Sequence, residues 1–349
     1  MFGSAMAKKI IVNVAIFYFR CLFLWFRNIS SKDVYVQTEM FSCLACGSAV
    51  PSNRIASIRV GTYVPMFLKD GLLKTLVQSN WLPSSRLKRL FKGHINIFGD
   101  KLITDYHRCC ECQSAFLDIL KLDPKKFFEN VERYYAEDYK AAAHIIGRVE
   151  RVDDPNQRAW CNFIVETIKK ELPEKEKVTV LDVGCAEGTA GLIFEQNGIV
   201  SYGCDPCGSL ISWAVNKSGL SPQRYKAQHF SCETFDGERF CFISCYHSIE
   251  HTSSPIKCLS DMYDSLIDGG ILFLSTPCAD LCVGVDVDDE PNFTSAHPYL
   301  LSKNYLETSL VGIGFEILEF YQGLDADPLA FKIGEKPNGM TFVCKRVSG

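Results

Sequence analysis

Val178-Thr179-Val180-Leu181-Asp182-Val183 runs straight into Gly184-Cys185-Ala186-Glu187-Gly188-Thr189-Ala190-Gly191. An apolar run without polar alternation predicts a strand buried on both faces. The glycines predict a tight turn into a helix that lasts to Asn197-Gly198. A second run, Ile199-Val200-Ser201-Tyr202-Gly203-Cys204, ends in Asp205. Strand, glycine turn, helix and strand in that order form a βαβ unit, whose strands lie parallel and need helices on both faces. The alternation continues toward the C-terminus. The predicted fold class is therefore α/β, a doubly wound and mostly parallel sheet starting near residue 177.

The turn also limits what it can hold. An acid at the tip of the second strand, 23 positions after Asp182, is where a ribose is gripped by its hydroxyls. A dinucleotide fingerprint would read Gly-x-Gly-x-x-Gly, its second glycine making room for a pyrophosphate. Ala186 occupies that place, and the pattern is Asp182-x-Gly184-x-x-x-Gly188. An acid within the strand end suits a cofactor with an amino-acid tail and no phosphates.

At 349 residues, two domains are expected, and 47% hydrophobic content suffices for large cores. The net charge of −4 gives no reason to expect nucleic acid as a partner. Residues 1–112 are nevertheless basic, with 15 Lys/Arg against 6 Asp/Glu. Many of the 17 cysteines sit in apolar runs such as Phe240-Cys241-Phe242-Ile243-Ser244-Cys245, where they act as small hydrophobes. A chain with a large core needs no disulfide scaffold, so the cytoplasm is the expected compartment.

Four segments in order resemble the class I methyltransferases of the small-molecule type. They are Leu181 to Gly188, then Gly203-Cys204-Asp205-Pro206, then Tyr246-His247-Ser248-Ile249-Glu250-His251-Thr252-Ser253-Ser254-Pro255, and last Leu266 to Pro277. The resemblance implies S-adenosylmethionine as cofactor and a seven-stranded sheet with an antiparallel last strand. Asp182, Gly184, Cys185, Ala186 and Gly188 would hold the methionine end, Asp205 and Pro206 the ribose, and Ser231 and Cys232, after a third strand at about residues 228–230, the adenine. Tyr246 and His247 would line the wall nearest the sulfonium. His251 is the candidate general base, oriented by Glu250, because imidazole titrates near neutrality. The alternative is that this Glu-His pair caps the next helix or shapes the pocket. Ala186 and Glu187 depart from the family's usual Gly and small residue, and Ser231-Cys232-Glu233 from its usual Asp. His297 to Leu306 resemble the last helix, and Gly312 to Glu316 with Met340 to Val347 the closing hairpin.

Cys43-Leu44-Ala45-Cys46-Gly47 and Cys109-Cys110-Glu111-Cys112 form a second constellation. Two Cys-x-x-Cys pairs supply four thiolates for a tetrahedral zinc, and four protein ligands leave no open position, so the predicted site is structural. Sixty-two residues separate Cys46 from Cys109, Gln113 stands where a knuckle glycine is usual, and Cys110 competes with Cys109 as ligand. Methyltransferases with an N-terminal zinc-binding segment resemble this arrangement.

Four segments are expected, two of them domains: an apolar leader over 1–40, a zinc-ribbon-like domain with a basic insert over 41–115, a helical linker or lid over 116–176, and the methyltransferase domain over 177–349. Within the leader, Ile10 to Phe26 is apolar apart from Asn13 and Arg20. Its readings are peripheral membrane contact through residues 8–27, packing on the protein, and a single span. The expected reaction is methyl transfer to a small-molecule, glycan or lipid-linked acceptor, most simply at a hydroxyl. The competing readings are a protein or nucleic-acid methyltransferase and an inactive zinc-bearing binding module.

Overall fold

A computed structural model of the chain describes residues 40–47, 49–60, 102–117, 127–129, 131, 155–173, 175, 177–282, 297–322 and 339–347. The apolar leader, the basic stretch Arg86 to Lys92 and the acids Asp286 to Glu290 lie outside them. Among the described residues no helix is long and apolar enough to cross a membrane.

The main sheet has seven strands: β5 (Thr179–Val183), β6 (Val200–Cys204), β7 (Tyr225–Lys226), β8 (Phe240–Tyr246), β9 (Leu266–Pro277), β11 (Phe315–Gln322) and β12 (Gly339–Arg346). Their spatial order is β11-β12-β9-β8-β5-β6-β7. From β9 to β7 the neighbours are parallel, and β12 runs antiparallel to both β9 and β11. This is the expected methyltransferase sheet. The third strand is a correction: it lies at Tyr225–Lys226, three residues before the expected 228–230, because Tyr225 is the apolar residue that reaches the core.

Successive residues of each strand serve opposite faces. Val180, Phe242, Phe273 and Val343 pack under α1 (Pro155–Glu171) and α2 (Thr189–Gln196), with Trp160, Ile164 and Phe194 among them. Leu181, Ile243, Leu272 and Phe342 face α4 (Pro255–Ser265) and α5 (Lys303–Ile313), through Leu259, Met262, Leu306 and Leu310. A fully buried side chain of this size contributes about 1.5–3 kcal/mol. α3 (Gly208–Asn216) covers the β6–β7 end. Within the helical linker expected over 116–176, residues 127–129 and 131 are helical and α1 begins with Pro155, where a missing N–H costs nothing. Cys204, Cys245, Cys258 and Cys344 are buried free thiols, and burial pushes those of Cys258 and Cys344 up to about 12.

A second sheet, ordered β1-β2-β3-β4-β10, joins β1 (Met40–Ser42), β2 (Ala49–Val60), β3 (Leu102–Cys109) and β4 (Ala115–Leu117) to β10 (Tyr299–Leu300). β10 corrects the expectation of a helix from His297. Tyr299 and Leu300 pair instead with Phe116 and Ala115, and α5 starts only after Ser302. Ser302 is fully buried and serves both sides of this junction. Its hydroxyl caps α5 by accepting from Tyr305 N (3.1 Å) and donates to the Cys112 carbonyl, while its N–H donates to Ser114 Oγ (3.0 Å). The Tyr305 hydroxyl donates to Ala45 O at 2.7 Å, and Arg108 pairs with Asp280 at 2.9 Å.

Ser302→Ala strands a buried carbonyl and removes a helix cap at once. The expected cost is about 2 kcal/mol of global stability, read from denaturant unfolding. An unchanged midpoint would mean that the two sheets unfold independently.

Candidate active site

The chain order reverses between β5 and β8, so these parallel strands diverge into connections on opposite sides and leave a crevice at their C-terminal ends. The glycine turn fills one side of it. Gly184 has φ 80°, and a Cβ there would sit 1.9 Å from Ser248 Oγ of the loop after β8, so only glycine lets the two loops approach. Ala186 also takes a left-handed conformation, φ 47°, which costs a non-glycine residue about 1–2 kcal/mol. Asp205 offsets that cost: its Oδ2 accepts from Ala186 N (3.1 Å) and its Oδ1 from Cys207 N (2.8 Å). Cys185 is buried, and its N–H, like that of Gly184, donates to the Cys204 carbonyl. Pro206 is half-buried between the two anchored residues. Asp205 follows directly on β6, and its hold on the departing Ala186 was not foreseen from the sequence.

Two buried acids share this end. Asp182 accepts from Ser244 Oγ at 2.6 Å, yet burial, with the charges of Asp205 and Glu187 behind it, pushes its carboxyl up to about 7. Burial likewise raises Asp205 to about 6, against the pull of its two backbone N–H partners. Both acids would be eased by a ligand bearing positive charge, and a phosphate would meet repulsion.

The tip of β8 forms the other wall. Tyr246 stacks flat on Trp160 of α1, with centroids 4.8 Å apart and planes 4° apart, and its edge meets His247. His247 has φ 50° and donates its N–H to Ser275 O. The 3-10 turn Ile249–His251 then carries Glu250 inward, where none of its surface is exposed. Glu250 Oε2 accepts from Thr276 Oγ1 (2.9 Å), and Oε1 lies 3.4 Å from His247 Nδ1 and 4.0 Å from His251 Nε2. Burial alone would raise this carboxyl, but the imidazoles of His247, His251 and His297 together hold it near 2. The cap of α4 is Ser254, accepting from Lys257 N, and not the Glu-His pair. The expected pair thus becomes a cluster. His297 packs on His251 with ring centroids 4.9 Å apart, and its carbonyl accepts from the Tyr106 hydroxyl. Trp160, Thr276 and His297 were not read as site residues in the sequence, since each joins the site from a distant element. Ser231 bonds within its own turn to Thr234, and Cys232 sits beside Asp261 of α4.

The four cysteines converge as well. Cys43 to Cys46 occupy the β1–β2 turn and Cys109 to Cys112 the β3–β4 turn, and the long β2–β3 ladder closes the 62-residue gap between them. The four Sγ atoms lie within 4.8 Å of one another, with Cys43–Cys112 at 3.7 Å and Cys46–Cys109 at 3.8 Å. A disulfide needs about 2.05 Å, whereas zinc–sulfur bonds of about 2.3 Å give a tetrahedral edge of about 3.8 Å. Cys109 is the residue in this cluster, and Cys110 is exposed outside it. The two turns match: Gly47 N returns to Cys43 O, and Gln113 N to Cys109 O. Gln113 reaches the left-handed φ of 62° that Gly47 adopts freely, and its side chain braces the turn by donating to Cys110 O and accepting from Arg108 Nε.

A family of methyltransferase domains matches residues 152–319. The ubiquinone biosynthesis O-methyltransferase of Coxiella burnetii is 32% identical over 99 residues, 28% of this chain and 42% of that protein, so the chain spans less than half the length of the curated relatives it matches. A solved S-adenosylmethionine-dependent methyltransferase from Clostridium acetobutylicum is 16% identical with a TM-score of 0.44, covering 61% of this chain and 100% of its own. The plantazolicin methyltransferase BpumL in complex with SAH is 13% identical with a TM-score of 0.48, covering 66% and 100%.

Asp182 gives a stability prediction with a definite sign. An acid whose pKa folding raises from 3.8 to about 7 contributes stability below the lower value and loses it as pH climbs through the upper one. Asp182→Asn, which still accepts from Ser244, should therefore gain on the wild type as cofactor-free protein is taken from about pH 4 to about pH 8. The ceiling is about 4 kcal/mol. A pH-independent difference in melting would show that folding does not raise the Asp182 carboxyl above its unfolded value.

Proposed function

We infer, from the methyltransferase domain carried by residues 152–319, that this protein transfers a methyl group from S-adenosylmethionine to a hydroxyl of a small molecule, a class that includes glycan and lipid precursors. The observation that carries this reading is the acid-lined glycine turn. Asp182 and Asp205 are buried, crowded by negative charge, and placed where a sulfonium amino acid with a ribose would relieve them. Gly184, Cys185, Ala186 and Gly188 hold its methionine end, Asp205 with Pro206 its ribose, and Tyr246 and His247 the side nearest its sulfur. Ser231 and Cys232 hold the adenine. When bound, the cofactor supplies a methyl carbon already activated by positive sulfur.

The chain's own task is positioning and proton removal. Trp160 fixes the Tyr246 ring flat against α1, which shapes the acceptor wall. An imidazole at the β8 tip, His247 or His251, takes the hydroxyl proton, and ionised Glu250 between them stabilises the resulting imidazolium. The acceptor oxygen gains the methyl as the carbon–sulfur bond breaks, its electron pair staying on sulfur. Cys43, Cys46, Cys109 and Cys112 hold one structural zinc, so that residues 41–115 form a module braced against the methyltransferase domain of 177–349.

Calorimetry should find S-adenosylmethionine binding that weakens as pH falls through about 6, where Asp205 takes up a proton. Asp205→Ala should cost about 1–3 kcal/mol at neutral pH and flatten that profile. A wild type that binds no S-adenosylmethionine would end the proposal, and an unaffected variant would remove Asp205 from the ribose.

Metal analysis should return one zinc per chain from the four cysteines. Cys43→Ser should lower the zinc content and the melting temperature together, because structural zinc is coupled to folding. Loss of one without the other would contradict the assignment.

A further inference from the structure

Glu250 has an unmet requirement. It is wholly buried, Oε2 accepts from Thr276, and Oε1 makes no hydrogen bond, with His247 Nδ1 at 3.4 Å and His251 Nε2 at 4.0 Å. An unmatched buried carboxylate oxygen is costly, and such atoms need either a partner or a ligand. Two imidazoles face the same point. One ligand atom each from Glu250, His251 and His297 lie within 4.8 Å of one another. His251 comes from the turn after β8 and His297, 46 positions later, from the strand entry that the second sheet holds in place through Tyr106 and β10.

We propose that Glu250, His251 and His297 bind a divalent transition metal ion, and that the acceptor it receives is one with two adjacent oxygen donors. Two imidazoles and a carboxylate are a borderline donor set that suits manganese, iron, cobalt or zinc better than calcium or magnesium. Bonds of about 2.0–2.2 Å put ligand atoms about 3.0–3.5 Å apart, so the three atoms close by up to about 1.8 Å, within the reach of side-chain rotation. Three ligands from one side leave neighbouring positions open. A pair of adjacent hydroxyls fills two such positions, which a lone hydroxyl does not. The inference rests on the proposed methyl transfer and divides the roles within it. His251 would then be a metal ligand, the metal would supply Lewis-acid activation of an acceptor hydroxyl, and His247, whose side chain is 42% exposed, would remain to take the proton.

The test uses full-length protein with its cysteine site intact, dialysed against EDTA and titrated with Mn²⁺, which thiolates do not favour. Electron paramagnetic resonance should count one bound Mn²⁺ per chain. Glu250→Gln and His297→Gln should each weaken it by more than about tenfold, since even partners outside the ligand shell cost that much. Catechol should change the spectrum of the bound ion, and phenol should not. S-adenosylmethionine affinity, measured on the same samples, reports that each variant is folded. Retained cofactor binding without stoichiometric Mn²⁺ in the wild type would overturn the metal site and leave the methyl transfer standing. Variants that bind Mn²⁺ like the wild type would overturn the ligand assignment, and equal spectra with catechol and phenol the acceptor class. Failure of the wild type to bind S-adenosylmethionine would sink the underlying reading instead.

Discussion

The parallel pairing of β5 with β8 sets the terms for everything at the functional end of this molecule. Val180 to Val183 register with Phe242 to Cys245, so both strands finish at the same height. One chain then leaves toward α2 and the other toward the 3-10 turn. Neither connection can fill the gap above the sheet without crossing the other. The gap is where Asp182 and Asp205 sit on one side and Tyr246, His247 and Glu250 on the other. Because the sheet is apolar and covered on both faces, any polar group at its end is desolvated, which raises the two acids and makes the charge on Glu250 depend on nearby imidazoles.

Much of this was legible in the chain because the relevant residues are local. Asp182 to Gly188 and Gly203 to Pro206 are continuous segments whose backbone shape follows from where glycine is required. The parallel α/β class followed from the alternation of apolar runs, and the seven strands from the family resemblance. The two Cys-x-x-Cys pairs were legible through spacing, which left Cys109 and Cys110 in competition, even though the ladder of β2 on β3 that unites the pairs spans a long insertion. What was hidden is long-range. Nothing around Trp160 marks it as the ring under Tyr246, and nothing around His297 marks it as a neighbour of His251. The third strand was placed three residues late because its two residues are too few to show a period. β10 was hidden for the same reason, and its partner strand lies nearly two hundred residues earlier in the chain.

Gln113 and Ala186 illustrate how departures from a pattern are absorbed. Each occupies a left-handed backbone position where glycine would be free, and each is held by a polar partner close by: the Arg108 guanidinium and the Cys110 carbonyl for Gln113, the Asp205 carboxylate for Ala186. In both cases a side chain replaces conformational freedom with a directed hydrogen bond. The result is a turn that is shaped more rigidly than glycine would leave it.

The two-residue strand β10 has a consequence for how the chain comes into being. The small sheet takes its first four strands from residues before 118 and its fifth from Tyr299 and Leu300. Synthesis delivers the first four long before the fifth, so during translation the outer edge of β4 waits with unpaired backbone groups while the intervening sheet is made. Loop closure over such a separation is slow, and exposed strand edges invite pairing with other chains. A chain truncated before residue 299 would carry that open edge permanently.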